Sequence, residues 1–172
     1  MIQVDLSKCT GCRRCEAACA FFHSGRINPL LSRIKVTHLY EIGIDGPVLC
    51  LGCRERFCLK CPENALTLGP QGEVICSPTI CTLCGVCEKA CPIGAIEIFG
   101  DFVFVCDLCG GDPKCLAACT EGALSFEPQE RDRTSLADIK QETQGQSAVQ
   151  KREFFLRKRG RKLREDWDKR NA

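Results

Sequence analysis

Four runs of cysteine stand at spacings that thiolate–metal chemistry uses. Cys9-x2-Cys12-x2-Cys15-x3-Cys19 and Cys81-x2-Cys84-x2-Cys87-x3-Cys91 share one pattern, the second followed by Pro92. This is the bacterial [4Fe–4S] run, in which the fourth cysteine serves the other cluster of a pair. Three thiolates two residues apart sit on one tight loop and bind three irons of one cubane. The loop's backbone N–H groups then face the cluster sulfurs and tune the potential. The fourth iron takes a ligand from elsewhere. Cys50-x2-Cys53-x4-Cys58-x2-Cys61, with Pro62 next, and Cys106-x2-Cys109-x5-Cys115-x3-Cys119 are variants whose longer middle gap enlarges the loop without changing the ligand count. These sixteen cysteines are the expected iron ligands of four [4Fe–4S] clusters. Structural zinc draws two pairs of ligands and needs no third cysteine at this offset, so a zinc-organised interaction module is the competing reading from a different class.

The seventeenth cysteine, Cys76, stands outside every group. Free cysteine is commonly a small buried hydrophobe, and that is its expected role. The other reading is an unusual ligand, because the second group has a short final gap. His23, just beyond the first group, and His38, in the extended stretch Ile34–Tyr40, are read as ordinary surface or hydrogen-bonded histidines rather than site residues.

The elements that must position these loops follow from turn signals. Cys61-Pro62-Glu63-Asn64-Ala65-Leu66, Cys91-Pro92-Ile93-Gly94-Ala95-Ile96 and Cys119-Thr120-Glu121-Gly122-Ala123-Leu124 form an internal repeat. In each, the last cysteine leads through a Gly or Asn turn into a short apolar strand. Gly69-Pro70-Gln71-Gly72 predicts a hairpin of Ala65–Leu68 with Glu73–Ile75, and Gly100-Asp101 one of Ala95–Phe99 with Phe102–Val105. Loops, short strands and short helices make an α+β fold.

Composition narrows the function. Seventeen cysteines in 172 residues put crosslinks or metals in charge of folding. A disulfide framework needs an oxidising compartment. The opening Met1-Ile2-Gln3-Val4-Asp5 shows no basic n-region, apolar h-region or twin-arginine signal, so a cytoplasmic location is expected. No apolar run approaches the roughly 20 residues that cross a bilayer, so no direct membrane insertion is expected. No nucleotide-binding glycine fingerprint follows a strand, and no nucleophile–base arrangement is legible. The chain is expected to be non-catalytic.

The last forty-odd residues contain no cysteine. Ser135-x-x-Asp138 predicts the cap of a short helix, broken at Gly145. From Lys151 to Ala172 ten Lys/Arg face four Asp/Glu, a net of +6, against −4 in the preceding 150 residues. Val149, Leu156, Leu163 and Trp167 fall on one helical face with Phe155 beside them. The stripe predicts a docking arm for a partner or a second copy, a homo-oligomer through residues 149–172. Nucleic-acid binding through Arg157-Lys158-Arg159-Gly160-Arg161-Lys162 is not expected without base-stacking aromatics.

Group order, spacing and intervening segments resemble the four-cluster iron–sulfur subunits of molybdenum and tungsten oxidoreductases and of some hydrogenases, over residues 1 to about 127. Cys9-Thr10-Gly11-Cys12-Arg13-Arg14-Cys15-Glu16, Gly25-Arg26-Ile27-Asn28-Pro29 and Cys106-Asp107-Leu108-Cys109-Gly110-Gly111-Asp112-Pro113 look closest to the branch that accompanies tungsten-containing aldehyde oxidoreductases. The resemblance implies a doubled bacterial-ferredoxin-like fold in residues 1–128, with an outer half 1–45 plus 100–128 and an inner half 46–99. A linker and basic helical tail would occupy 129–172. It also implies nested ligation. One cluster would take Cys9, Cys12, Cys15 and Cys119; its neighbour Cys106, Cys109, Cys115 and Cys19. The second pair would take Cys50, Cys53, Cys58 with Cys91, and Cys81, Cys84, Cys87 with Cys61. The implied partners are a tungsten or molybdenum pterin catalytic subunit and a second redox subunit, a flavoprotein or ferredoxin. A hydrogenase or formate-oxidising partner is the alternative. Cys19 and Cys119 depart from the run in lacking a following proline, and the second group in its two-residue last gap.

Overall fold

The computed structural model describes residues 1–127 and 134–171. The expected boundary between cluster region and tail, at 128/129, lies outside them. Every sheet is a two-stranded antiparallel ribbon. β1 (Ile2–Val4) pairs with β8 (Leu124–Phe126), Ile2 opposite Phe126 and Val4 opposite Leu124. That pairing closes the chain on itself and sets the first cysteine loop beside the last. β2 (Lys35–Leu39) pairs with β3 (Ile44–Val48), turning at Gly43 in the left-handed region, φ 59°.

The two predicted hairpins are present with trimmed edges. β4 (Leu66–Leu68) faces β5 (Val74–Cys76), Leu66 opposite Cys76. The turn closes with Gly69 N–H donating to the Glu73 carbonyl at 2.9 Å, which moves the ladder one residue outward from Glu73. β6 (Glu97–Phe99) faces β7 (Phe102–Phe104). Ala95 and Val105 drop out of that ladder and are buried in the core instead.

Helices are short where they follow cysteine loops: α1 (Arg14–Ser24), α2 (Val86–Ala90) and α3 (Lys114–Ala117). α1 ends on Gly25 at φ 67°, whose N–H bonds the Phe21 carbonyl, a left-handed stop that suits glycine. α4 (Ala137–Glu142) is the short helix expected near Ser135, but Leu136 occupies its cap position without a side-chain bond. Ser135 donates instead to Glu55, and Glu55 accepts the Leu136 N–H at 3.1 Å. The cap is supplied by the second cysteine loop rather than locally.

α5 (Ala148–Asn171) corrects the expected docking arm. Its apolar face lies on the chain's own β2–β3 hairpin. Leu156, 1% exposed, joins Leu39 and Ile44 in one small core, and Phe155 joins the core around Cys58, Cys87 and Cys91. Val149 and Trp167 remain largely exposed, so the expected stripe is split between the fold and its surface. The basic residues anchor the helix as well. Lys151 caps the carbonyls of Glu88 and Lys89 at the end of α2, Arg152 reaches Glu97 and the Gly94 carbonyl, and Arg159 reaches the Val4 carbonyl. Arg157 pairs with Glu41 and Arg164 with the Ile42 and Gly43 carbonyls. No helix among the described residues is long and apolar enough to cross a membrane.

Candidate metal centres

Each cysteine loop is bent by the same device. The residue two after the first cysteine of each group is left-handed: Gly11 at φ 67°, Gly52 at 60°, Leu83 at 55° and Leu108 at 58°. A left-handed leucine costs about 1–2 kcal/mol, so Leu83 and Leu108 hold a conformation that the sequence does not advertise. Such turns aim successive N–H groups into one concavity that suits negative charge. Gly11 N–H meets the Cys9 sulfur, Gly52 that of Cys50, Leu108 that of Cys106, and Arg56 and Phe57 that of Cys53. Asn64, Gly94 and Gly122, three residues after the closing cysteines, are left-handed too, at φ 52°, 65° and 62°. The predicted turn repeat is thus real in the backbone.

The loops bring the cysteines together in quartets. One cavity is lined by Cys9, Cys12, Cys15 and Cys119, a second by Cys50, Cys53, Cys58 and Cys91, and a third by Cys61, Cys81, Cys84 and Cys87 with Cys76. Cys19, Cys106, Cys109 and Cys115 also meet; the Cys115 thiol lies close to Cys19 and Cys109, and Cys109 close to Cys19. Cys76 is half-buried, in thiol contact with Cys81.

Burial dominates the thiols. It pushes Cys15, Cys58 and Cys115 up to about 12, and Cys50, Cys76 and Cys87 up to about 11. A metal must displace those protons to bind.

The quartets also lie in sequence. Cys115 feels Cys15, which joins the Cys9 quartet to the Cys106 quartet, and Cys106 feels Cys50, which joins that to the Cys50 quartet. Cys58 lies in a 3₁₀ turn, 57–59, with Cys61 two residues beyond it, and Cys87 lies in α2 with Cys91 at its C-cap, so the Cys50 and Cys81 quartets adjoin. Among the sixteen, only Cys12 and Cys84 are exposed, one in each terminal quartet; Cys106, Cys115, Cys58 and Cys91 are buried.

Several positioning residues had no signal in the sequence. Glu16, 1% exposed, accepts the Val36 N–H at 2.7 Å and Arg13 Nε at 2.5 Å. Glu88 accepts the Ile98 N–H at 3.1 Å. Both follow the third cysteine of their run, and both tie the cysteine helix to a strand. His23 also leaves the ordinary surface expected of it. Its Nε2 lies 3.6 Å from Cys109 Sγ and 3.4 Å from Asp107 Oδ1, with Arg33 pairing Asp107. Both neighbours are acceptors once Cys109 is a thiolate, so Nε2 carries the proton. His38, in contrast, bonds Asp45 at 2.7 Å, away from the thiols.

The donor set fits an anionic thiolate-ligated group. Beside Cys50 and Cys53 the Arg56 side chain is buried with all three guanidinium nitrogens unpartnered. A buried unpaired cation is costly, and a negatively charged cluster held by these thiolates would supply the missing counter-charge.

Comparison with known proteins agrees with this chemistry. Models of the 4Fe–4S binding domain match residues 1–26 and 77–97. The polyferredoxin-like subunit of aliphatic sulfonate oxidoreductase from Pyrococcus furiosus is 41% identical over 124 residues, covering 70% of this chain and 71% of that one. The chain belongs to the polyferredoxin-like 4Fe–4S electron-transfer subunits of oxidoreductases. Within this family the probable anaerobic dimethyl sulfoxide reductase chain YnfG of Escherichia coli is 30% identical over 151 residues, 76% of this chain and 74% of that one. Formate hydrogenlyase subunit 2 of Escherichia coli is 37% identical over 97 residues, 56% of this chain, and the match spans less than half of that protein, 46%.

Proposed function

We propose that the polyferredoxin-like chain holds four [4Fe–4S] clusters in a row and relays single electrons between a catalytic subunit and a second redox partner. The observation that carries this reading is the succession of four cysteine quartets, with an exposed cysteine only in the two terminal ones. Cys9, Cys12, Cys15 and Cys119 would hold the first cluster; Cys19, Cys106, Cys109 and Cys115 the second. Cys50, Cys53, Cys58 and Cys91 would hold the third; Cys61, Cys81, Cys84 and Cys87 the fourth. A cubane exchanges one electron with little rearrangement of its ligands, at a potential set by charge, hydrogen bonds and solvent. The chain's own residues supply those settings: buried thiols, inward N–H groups, and a low-dielectric shell of Met1, Ile2, Leu49, Ile93 and Ile96. No cysteine of the middle quartets is exposed, whereas Cys12 and Cys84 bring the terminal ones to the surface.

The doubled ferredoxin-like arrangement belongs to the same proposal, with the β1–β8 ribbon uniting the outer half and the inner loops enclosed between. As partner we propose a tungsten–pterin aldehyde oxidoreductase in the cytoplasm, on the phrases around Cys9, Gly25 and Cys106 that resemble that branch. A hydrogenase or formate-oxidising complex is the second reading, favoured by the likeness to formate hydrogenlyase subunit 2.

The test is metal and sulfide analysis of the complex purified without air from its native source. About sixteen irons per chain, four for each cubane, with tungsten in the complex support the aldehyde-oxidoreductase reading. The same iron with nickel or molybdenum keeps the relay and replaces the partner. Zinc in place of iron sinks both.

A further inference from the structure

Arg56 lies inside the Cys53-x4-Cys58 gap, where a long basic side chain would ordinarily reach for water. It does not. The residue is 8% exposed, and Nε, Nη1 and Nη2 are all buried without a hydrogen-bond partner. Its backbone is left-handed, φ 48° and ψ 44°, a conformation that a residue with a Cβ holds only when its surroundings fix it. Nη1 comes within 3.4 Å of the place a Gly52 Cβ would occupy, and the Met1 side chain within 3.2 Å of the same place.

That position is a seam. Met1 packs in the core around Cys19, Cys106 and Cys115, while Gly52 belongs to the loop of Cys50 and Cys53. The Arg56 charge acts on Cys50, and Cys50 in turn acts on Cys106. Guanidinium stays charged in any protein interior, and an isolated buried charge is too costly to keep without compensation. No carboxylate supplies it here among the described residues. The negative charge within reach is that of the thiolate quartets, and it grows when a cluster between them takes an electron.

We propose that Arg56 is the internal counter-charge of the two middle cluster sites, and that it raises the reduction potential of the site formed by Cys50, Cys53, Cys58 and Cys91. The inference rests on the ligand reading above. The terminal sites have solvent for this purpose, since Cys12 and Cys84 are exposed; the middle sites have no exposed cysteine and use a fixed cation. Arg56 is a positioning residue of charge, not a ligand. Its effect is to hold an arriving electron in the middle of the row, so that the chain stays partly reduced between encounters at its two ends.

The experiment compares the full chain with Arg56→Gln and Arg56→Lys, each purified without air. Iron and sulfide are counted, and each cluster is titrated against potential by electron paramagnetic resonance. Arg56→Gln with full iron is expected to lower one middle cluster's reduction equilibrium at least tenfold, about 59 mV for one electron. Arg56→Lys is expected to recover most of that shift. Loss of iron in Arg56→Gln with retention in Arg56→Lys also supports the proposal, because the charge is then what holds the anionic group. Full iron with unmoved potentials in Arg56→Gln overturns it. So does loss of iron in both variants, which makes the guanidinium a packing element. Iron far from sixteen per chain in the unaltered protein instead refutes the ligand reading, and is distinguishable from either result.

Discussion

Leu156→Ala tests whether the basic tail is part of the fold or an arm awaiting a partner. Leu156 is 1% exposed and packs with Leu39 and Ile44, bordered by Leu6, Ile42 and Leu163. Its Cδ1 lies only 2.6 Å from where a Cβ on Gly46 would stand, so the side chain fills the space above a glycine in β3. Truncation leaves a cavity, and a buried Leu→Ala change costs about 3–5 kcal/mol. The loss falls on the opening of α5 from the β2–β3 hairpin. At about 1.4 kcal/mol per factor of ten, amide protection in α5 drops roughly a hundredfold or more. The assay is native-state hydrogen exchange followed by mass spectrometry on peptides from 148–165, with Val149→Ala as the control. Val149 is 50% exposed, and its truncation is expected within about 0.5 kcal/mol of the unaltered chain. Gly46→Ala placed in the Leu156→Ala background adds a second arm. The new methyl occupies part of the cavity, so the double change is expected to cost less than the sum of the two. Equal protection in Leu156→Ala and Val149→Ala would refute the packing argument and restore the free arm.

Other perturbations act closer to the thiols. His23→Phe removes the imidazole donor aimed at Cys109 and is expected to lower the potential of the Cys106 quartet's cluster by about 60 mV or less; a potentiometric titration with no cluster moved would contradict this. Gly94→Ala should be far worse than Gly122→Ala, because a Cβ at Gly94 meets the Ala148 carbonyl at 2.1 Å whereas nothing lies within 4 Å of Gly122. The Gly122 change costs about 1–2 kcal/mol for its left-handed backbone, and thermal melts of the two variants check the order. Burial raises the thiols of Cys15, Cys58 and Cys115 to about 12, so in the metal-free fold they stay protonated while an unfolded chain ionises them near its ordinary thiol range. The metal-free fold therefore loses stability as pH rises from about 9 to 12, since the unfolded chain binds fewer protons there. Iron–sulfide loading at pH 8 should release protons, measurable in weak buffer.

Spacing alone was enough for the chemistry. The x2, x2, x3 run is a local property: three thiols on one tight loop need no distant residue to be recognisable. The Asn64, Gly94 and Gly122 turns and both predicted hairpins were legible for the same reason, since each is decided within a few residues by a φ or a turn that glycine and asparagine favour. The α+β character followed from them. What tertiary structure decided was everything that depends on two remote segments meeting. The β1–β8 ribbon joins residues more than a hundred positions apart, and no composition of Ile2–Val4 announces Leu124–Phe126 as its partner. Helical periodicity located the apolar face of α5, but periodicity is blind to what covers a face: the hairpin at Leu39 and Ile44 covers Leu156, while Val149 and Trp167 stay largely exposed. In the sequence His23 reads as an ordinary surface or hydrogen-bonded histidine and Arg56 carries no signal, because a side chain's charge says nothing of burial. Only the packed chain places one against Cys109 and seals the other, unpaired, at the seam where the middle quartets meet.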